Sequence, residues 1–288
     1  MKQLKAIYKA PEAHWVGDGF KVRSLFSYSN HGKLLNPFLL LDRAGPTKFK
    51  PTNSPGGVGE HPHRGFETVT IVYEGEVAHH DSTGAGGKIG PGDVQWMTAA
   101  KGILHKEYHS KNFAKNGGIL DMVQLWVNLP AKDKMSKPGY QAITANMIPK
   151  VQLANDWGFM RVIAGDYNGT KGAARTFTPL DVWDFYLKIG GAITVPAVQY
   201  RYVGLIVLHG EVILNGKQVI KESELAILDK HGEEFTLEAT KDSVVLYLSG
   251  EPINEPVVGY GPFVMNSREE IMQASLDYSH GRFGKMQS

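Results

Sequence analysis

Short apolar runs, separated by glycine- and proline-rich turns, dominate the chain. They are rich in β-branched and aromatic residues, and most are too short for helices, so they predict strands. Many short strands between turns favour a sandwich or a barrel, and the 33 Gly and 15 Pro residues punctuate them. The sequence LNGK at 214–217 predicts a tight hairpin. The main runs are VTIVYEGEV (69–77), VQWM (94–97), MVQLWVNL (122–129), VWDFYLKI (182–189), YVGLIVLHGEVIL (202–214), ELAIL (224–228) and SVVLYLSG (243–250).

One helix is predicted near the end of the chain. Ser267 followed three positions later by Glu270 is typical of a capping box, and Gly281 is placed to end the helix. A second and weaker helix is predicted around 146–156.

A faint repeat divides the strands into two groups. YEGEV at 73–77 matches LHGEV at 208–212, which aligns Gly75 with Gly210 at an offset of about 135 residues. Two copies of one β-domain explain this match, although two similar hairpins could also arise by chance. The charged stretch AKDKMSKPGYQ (131–141) separates the halves and is the predicted linker.

Composition limits the chemistry that the chain can perform. With no Cys among 288 residues, disulfides, thiolate nucleophiles and Cys-held metals are excluded, so a metal would need His, Asp or Glu ligands. The net charge is only +2, and the charged residues of both signs are interspersed along the chain. This pattern gives little support for direct nucleic-acid binding. No apolar run is long enough to span a membrane, and the first residues lack the apolar core of a signal peptide. We therefore expect a cytoplasmic protein without a membrane partner.

Two pairs of metal-ligand residues stand in the first half of the chain. His61 and His63 are two positions apart, and so are His105 and Glu107, so on strands each pair projects from one face. If the two strands are neighbours in a barrel, these four side chains converge. Three imidazoles and one carboxylate suit Fe(II), Mn(II), Co(II) or Ni(II), and Zn(II) is also compatible.

Two alternatives to this ligand set stay open, and a third is excluded. A His pair on a strand is often structural or exposed rather than metal-binding. Glu67 shares strand parity with His61 and His63 but can reach a common metal only if the chain bends at Gly65. His79 and His80 are adjacent and should face opposite ways, so regular geometry prevents both from being ligands.

Several segments resemble the pirin family of the cupin superfamily. They are HPHRGFETVTIVYEGEV, GPGDVQWMTAAKGILHKE, QLWVNLP and GEPINEPVVGYGPFVMN, and the resemblance runs from LNPFLLLD (35–42) to the C-terminal helix. It implies an all-β fold of two cupin-type β-barrel (double-stranded β-helix) domains packed face to face, with a C-terminal helix. The implied segments are an N-terminal metal-binding domain (1–132), a linker (133–145), a metal-free C-terminal domain (146–262) and a helix with its tail (263–288).

The resemblance also implies one metal, usually iron, in the first barrel. Its ligand pattern falls on His61, His63, His105 and Glu107, rather than on Glu67. In the second barrel the corresponding positions keep only Glu238, so that barrel is expected to hold no metal. The chain has Ala99-Ala100 where the family commonly reads Ala-Gly, so Ala100 is expected to be strained if its φ is positive.

Two functions follow from this resemblance, beside a degenerate structural cupin. The first is a quercetin 2,3-dioxygenase-like oxygenase that acts on a flavonol and O₂, with Glu107 as general base. The second is a redox-sensing regulatory protein, a transcriptional co-regulator or an enzyme modulator, in which iron is the switch. For the second, the Lys-rich segments 111–115 and 132–137 would present a basic face to a protein partner. The resemblance favours a monomer.

Overall fold

A computed structural model describes residues 1–286, and strands dominate it. In chain order the first strands are β1 (Leu4–Lys9), β2 (His14–Val16), β3 (Phe20–Ser27), β4 (Phe38–Phe49), β5 (Gly57–His63), β6 (Phe66–Glu74), β7 (Val77–Asp81), β8 (Gly86–Ile89), β9 (Val94–Thr98), β10 (Ile103–His109), β11 (Gly118–Asn128) and β12 (Gly139–Ile143). The later strands are β13 (Lys150–Gln152), β14 (Gly158–Ala164), β15 (Asp166–Tyr167), β16 (Thr170–Lys171), β17 (Leu180–Leu187), β18 (Ala192–Pro196), β19 (Val203–His209), β20 (Glu211–Leu214), β21 (Gln218–Lys221), β22 (Glu224–Leu228), β23 (Glu234–Ala239), β24 (Ser243–Gly250), β25 (Val258–Tyr260) and β26 (Phe263–Met265).

Helical structure is limited to short elements within the described residues. The α-helices are α1 (Lys111–Asn116) and α2 (Arg268–Ser279), and the 3₁₀ turns are His31–Lys33, Ala131–Asp133, Ala145–Met147 and Ala154–Asp156. Across residues 1–286, no helix combines the length and the apolar character that crossing a bilayer requires.

The described residues form two compact units, and the first, here called the N-terminal barrel, contains residues 12–28, 38–145 and 253–286. Its larger sheet has the strand order β12-β9-β6-β11-β4-β3-β2, and its smaller sheet has the order β5-β10-β7-β8. Apolar side chains from both sheets, among them Val22, Val72 and Val77, pack into one cluster. The hairpin β25–β26 and the helix α2 belong to the same unit.

The second unit, the C-terminal barrel, contains residues 1–11, 29–37 and 146–252 and repeats this architecture. Its sheets have the orders β1-β22-β19-β24-β17-β14-β13 and β18-β23-β20-β21. The matching seven-stranded and four-stranded sheets confirm the predicted pair of cupin-type β-domains. Buried aromatic and aliphatic side chains fill this barrel, including Trp183, Phe185, Phe235, Leu237 and Tyr247.

Most of the predicted elements are confirmed by the structure. The run 69–77 ends β6 at Glu74 and resumes as β7 after Gly75, whose φ is +88°. LNGK joins β20 to β21 through Asn215 and Gly216, both with positive φ, as a tight hairpin requires. The helix α2 begins at Arg268 with the predicted capping box between Ser267 and Glu270.

The predicted helix around 146–156 is wrong. This segment forms two 3₁₀ turns on either side of β13, and β13 pairs with β14. Pro149 has no amide hydrogen to donate within a helix, and its carbonyl accepts the amide of Val162 instead. The short helix α1 was not predicted; its N-cap Ser110 accepts the amide of Phe113.

The two units differ from the segments implied by the resemblance at both ends of the chain and within it. The predicted linker 133–145 belongs to the N-terminal barrel and contains β12, and residues 29–37 belong to the C-terminal barrel. The prediction assigned 1–132 to the first domain, but β1 pairs with β22 and so belongs to the C-terminal barrel. It also assigned 253–262 to the second domain, whereas these residues belong to the N-terminal barrel. These differences come from contacts between residues far apart in sequence, such as β1 with β22 and Pro262 with Arg64, which local patterns do not reveal.

Candidate metal centre

The two predicted ligand pairs lie on neighbouring strands of the smaller sheet of the N-terminal barrel. Strands β5 and β10 are antiparallel, and their register places His105 opposite His61 and Ile103 opposite His63. Because alternate residues of a strand share a face, the register brings the His61 and His63 rings to the same side of the sheet as His105. The ring centroids are 4.2 Å apart for His61 and His105, 4.8 Å for His63 and His105, and 4.9 Å for His61 and His63.

The hydrogen bonds of these three rings leave one nitrogen of each ring facing a shared space. Nδ1 of His61 lies 2.8 Å from the Gly59 carbonyl, and Nδ1 of His63 lies 3.4 Å from the Pro262 carbonyl. Nδ1 of His105 lies 3.2 Å from Nδ1 of His79. A ligand nitrogen from each of the three rings lies within 4.8 Å of the other two. With Nδ1 held by the protein in every case, Nε2 is the atom available to a cation.

One of these nitrogens is a buried atom that lacks a hydrogen-bond partner in the part of the chain that the structure describes. Nε2 of His105 is solvent-inaccessible and has no hydrogen-bond partner among residues 1–286, and the whole residue is 0% exposed. Buried polar atoms in native proteins are almost always paired, so an unpaired imidazole nitrogen inside a cluster of three rings calls for an occupant. A divalent cation with a preference for nitrogen ligands fits this set of donors.

The electrostatic environment keeps the buried imidazoles neutral. Burial lowers the pKa of His63 and of His105 well below the usual histidine value, and the neighbouring imidazoles lower both further. A neutral imidazole keeps the lone pair that a metal requires, so no proton has to be displaced before a cation binds at neutral pH.

Glu107 lies beside this cluster but belongs to a second grouping. Its carboxylate joins His105 and His79 in a set whose ligand atoms all lie within 4.8 Å of one another. Oε1 of Glu107 accepts long hydrogen bonds from Thr70 Oγ1 at 3.4 Å and from Gln95 Nε2 at 3.5 Å. The structure therefore brings His61, His63 and His105 together as one group and places Glu107 next to His105.

Glu67, the alternative carboxylate, faces away from the cluster. The chain does bend at Gly65, where φ is +92°, and β6 begins at Phe66. Glu67 accepts a hydrogen bond from Thr98 Oγ1 at 2.7 Å, whereas Thr70, on the opposite face of β6, reaches Glu107. Burial raises the pKa of Glu67 to about 7, so this side chain carries a proton over much of the range in which other carboxyl groups are ionised.

His79 is the site residue that sequence reasoning missed. Regular geometry excluded a role for His79 and His80 together, and the structure shows them on opposite faces of β7. His79 is 1% exposed and contacts both His105 and Asp81, while His80 is exposed and pairs with the Tyr108 hydroxyl. The available signal was the i, i+2 spacing of His79 and Asp81, which places both on the inward face.

Residues near the C-terminus hold the His-x-His motif in place through hydrogen bonds. The Pro262 carbonyl accepts from the His63 ring, and the amide of Val264 donates to the Arg64 carbonyl at 3.0 Å. The Arg64 side chain donates to the Lys101 carbonyl and to Asp277 of α2. Residues far from the His-x-His motif in sequence thus hold that motif in place.

The inward-facing positions of β20 and β23 in the C-terminal barrel are apolar. Glu238, the one ligand-type residue retained there, is exposed on β23, between the buried Leu237 and Ala239. The inward faces of β20 and β23 instead carry Val212, Leu214 and Phe235, all of which are buried.

Comparison with known proteins identifies the family. The sequence model of the Pirin family matches residues 19–127, and that of the Pirin C-terminal cupin domain matches residues 182–284. The chain belongs to the pirin family. This pirin is 56% identical over 283 residues to a Pseudomonas aeruginosa protein provisionally named a quercetin 2,3-dioxygenase, covering 98% of this chain and 99% of the relative. It is 39% identical over 258 residues to human pirin, covering 88% and 84% of the two chains.

Solved structures give the same result for the fold of this pirin. A quercetin 2,3-dioxygenase from Acinetobacter baumannii superposes with a TM-score of 0.97 at 51% identity over 100% of both chains. A bacterial pirin from Escherichia coli, solved in complex with nickel(II), superposes with a TM-score of 0.65 over 86% of this chain and 100% of its own. At 22% identity, that second likeness is one of fold.

Proposed function

We propose that this pirin is a metal-dependent oxygenase of the quercetin 2,3-dioxygenase type, with Fe(II) held by His61, His63, His105 and Glu107. The observation that carries the proposal is the unpaired, buried Nε2 of His105 beside two further imidazoles whose Nδ1 atoms are already engaged. The names of two relatives, 56% and 51% identical over nearly the whole chain, support the reaction class.

The four proposed ligand atoms restrict which metals fit the site and how many coordination positions stay free. Three nitrogens and a carboxylate oxygen suit Fe(II), and they also accept Mn(II), Co(II), Ni(II) and Zn(II). Four protein ligands on a six-coordinate ion leave two positions for small molecules. When bound, the metal would supply a Lewis acid and redox centre through which a flavonol could react with O₂, so that the heterocyclic ring opens and one CO is released.

Burial indicates the side from which a substrate reaches this centre. His63 is 5% exposed and His105 is fully buried, whereas His61 and Glu107 are half-buried. The substrate therefore approaches past His61 and Glu107, and the other two imidazoles form the closed side of the site.

Glu107 is the residue we assign to proton transfer. Thr70 and Gln95 both contact its Oε1 atom, so Oε2 is the oxygen we assign to the metal or to the flavonol hydroxyl. A carboxylate that accepts the proton of this hydroxyl would convert the substrate to the anion that reacts with O₂. General-base catalysis of this kind typically contributes about 10²–10⁴-fold to the rate.

Aerobic turnover of quercetin tests the proposal. Protein stripped with a chelator is reloaded with Fe(II) without air, and the loss of flavonol absorbance and the uptake of O₂ are then followed together. We expect His63→Ala to reduce both to background and Glu107→Gln to lower the rate about 100-fold or more. His80→Ala, which alters the outward face of β7, is the matched control and should keep the wild-type rate. Equal rates in His63→Ala and the wild type would overturn the proposal.

The redox-responsive binding protein receives less support from this structure. Its proposed basic face included Lys134 in the segment 132–137, but that side chain is 1% exposed. Its ammonium donates to the carbonyls of Gly65 and Val264 and to Asn128 Oδ1, at 2.7–3.0 Å. The segment thus offers only Lys132 and Lys137 to a partner. Metal binding without turnover by the wild type would favour this function over the oxygenase.

A further inference from the structure

We propose that His79 and Asp81 form a positioning pair, which holds His105 with Nε2 directed at the metal and thereby sets metal affinity. The inference rests on the metal centre proposed above and concerns residues that are not among its ligands. Nδ1 of His105 lies 3.2 Å from Nδ1 of His79, and Nε2 of His79 lies 3.1 Å from Oδ2 of Asp81. A chain of three side chains therefore runs from the cluster to a buried carboxylate.

The rules of hydrogen bonding determine which atom donates and which accepts at each step from His105 through His79 to Asp81. Two ring nitrogens that face each other can bond only if one carries the proton and the other does not. Once Nε2 of His105 binds a cation, the remaining proton of that neutral ring is on Nδ1, which must donate to Nδ1 of His79. His79 then carries its own proton on Nε2 and donates it to Asp81.

Asp81 fixes that direction because an ionised carboxylate can only accept. Its Oδ1 accepts from the amide and the hydroxyl of Thr83, at 2.8 and 2.6 Å, and from the amide of Ala85 at 3.3 Å. These contacts hold the carboxylate in one orientation and leave Oδ2 for His79.

The His79 ring is also held from its face. It stacks on Tyr140 with the ring centroids 5.2 Å apart and the planes inclined by 13°. The Tyr140 hydroxyl donates to Gln95 Oε1, and Gln95 Nε2 is the group that contacts Glu107. The same small network therefore touches both ligands that β10 contributes, His105 through His79 and Glu107 through Gln95.

The expected effect follows from what such partners do in metalloproteins. A carboxylate or carbonyl that orients a ligating histidine fixes its tautomer and raises its basicity, and removing it typically lowers metal affinity about 10–100-fold. Here the partner that orients His105 is another histidine, His79. Because His79 donates its proton to Asp81, its other nitrogen must accept from His105, so Asp81 determines the tautomer of both rings.

Metal affinity of the stripped protein measures this role without recourse to activity. Co(II) or Zn(II) is titrated against a chromophoric chelator, and the dissociation constant and stoichiometry are determined for each variant. We expect His79→Ala and Asp81→Asn to weaken binding about 10–100-fold. Asp81→Asn is the sharper change, because its amide would donate to His79 and reverse the chain, placing the His105 proton on Nε2. His79→Gln, which can accept from His105 and donate to Asp81, should recover much of the affinity.

The controls separate this inference from the function on which it rests. His80→Ala should bind as the wild type does, and the melting temperature of each metal-free variant reports whether it folds. Should His79→Ala fail to fold, the comparison of His79→Gln with Asp81→Asn carries the test.

Each of three outcomes would refute either the positioning role of His79 and Asp81 or the metal centre itself. Unchanged affinity in both His79→Ala and Asp81→Asn would overturn the positioning role. Two equivalents of metal in the wild type that fall to one in His79→Ala would also overturn it, by making His79 a ligand. A wild type that binds no metal would instead refute the metal centre itself.

Discussion

The guanidinium of Arg64 lies 2.9 Å from the carboxylate of Asp277, and both side chains are at most 10% exposed. Arg64 directly follows His63, and Asp277 is on α2, so the pair joins the His-x-His motif to the C-terminal helix. The Arg64 guanidinium also lies over the Phe283 ring, 4.6 Å from its centroid. The helix α2 and the segment that follows it to Phe283 are thus part of the structure that supports the candidate metal centre.

Breaking this pair should be costly. Asp277→Ala leaves a buried guanidinium without its carboxylate, and we expect the free energy of unfolding to fall by about 3 kcal/mol or more. Denaturant titration measures the change. Lys188→Ala is a suitable control because it removes the exposed ion pair with Asp156, which should cost less than about 1 kcal/mol. Similar losses in the two variants would show that the Arg64–Asp277 pair contributes little.

The buried carboxyl of Glu67 predicts a pH dependence of stability. Its pKa is about 7 in the folded protein, against an ordinary value of 4.5, so the folded state binds the proton more tightly. Stability from this group is therefore complete below about pH 4.5 and is lost as the pH rises through 7, by up to about 3 kcal/mol. Glu67→Gln cannot lose a proton and should gain stability relative to the wild type between pH 5 and pH 8.

Unfolding in urea at pH 5, 6, 7 and 8 provides the comparison for Glu67. The two free energies of unfolding should diverge with rising pH, in favour of the variant. Parallel curves would mean that Glu67 titrates equally in the folded and unfolded states.

Adjacent alanines provide a matched test of backbone strain. Ala100 has a φ of +43°, which is the condition under which strain was expected at this departure from the family pattern, and Ala99 lacks a positive φ; both are fully buried. Replacing either with Gly removes the same methyl group, but only Ala100→Gly relieves a left-handed backbone. We expect Ala100→Gly to be more stable than Ala99→Gly by about 1–2 kcal/mol in thermal or denaturant unfolding, which is the usual cost of a left-handed backbone at a residue with a Cβ atom. Equal stabilities would rule out strain at Ala100.

The alternation of side chains along a strand was sufficient to group the three imidazoles, but it did not place the residues around them. His61, His63 and His105 could be grouped because β5 and β10 are regular where these residues lie. Glu67 could not be placed by parity, because the bend at Gly65 turns its side chain to the opposite face. His79 was set aside because its neighbour His80 is also a histidine, although only the spacing to Asp81 matters for its role.

The remaining differences arise from contacts between distant parts of the sequence. No local pattern in residues 4–9 shows that β1 will pair with β22, and none in 253–262 shows that this segment will join the N-terminal barrel. The support that Pro262 gives to His63 depends on the same long-range arrangement. Hydrophobic periodicity reports the face of an element, whereas these contacts depend on which elements become neighbours.

The most direct test of the metal centre is a crystal structure of the protein loaded with Co(II) or Zn(II), with anomalous diffraction recorded on both sides of the metal edge. The proposed metal centre predicts one anomalous peak in the N-terminal barrel, about 2.0–2.2 Å from Nε2 of His61, His63 and His105, with a Glu107 oxygen completing the set. A peak held by other residues, or no peak at fully loaded stoichiometry, would contradict it.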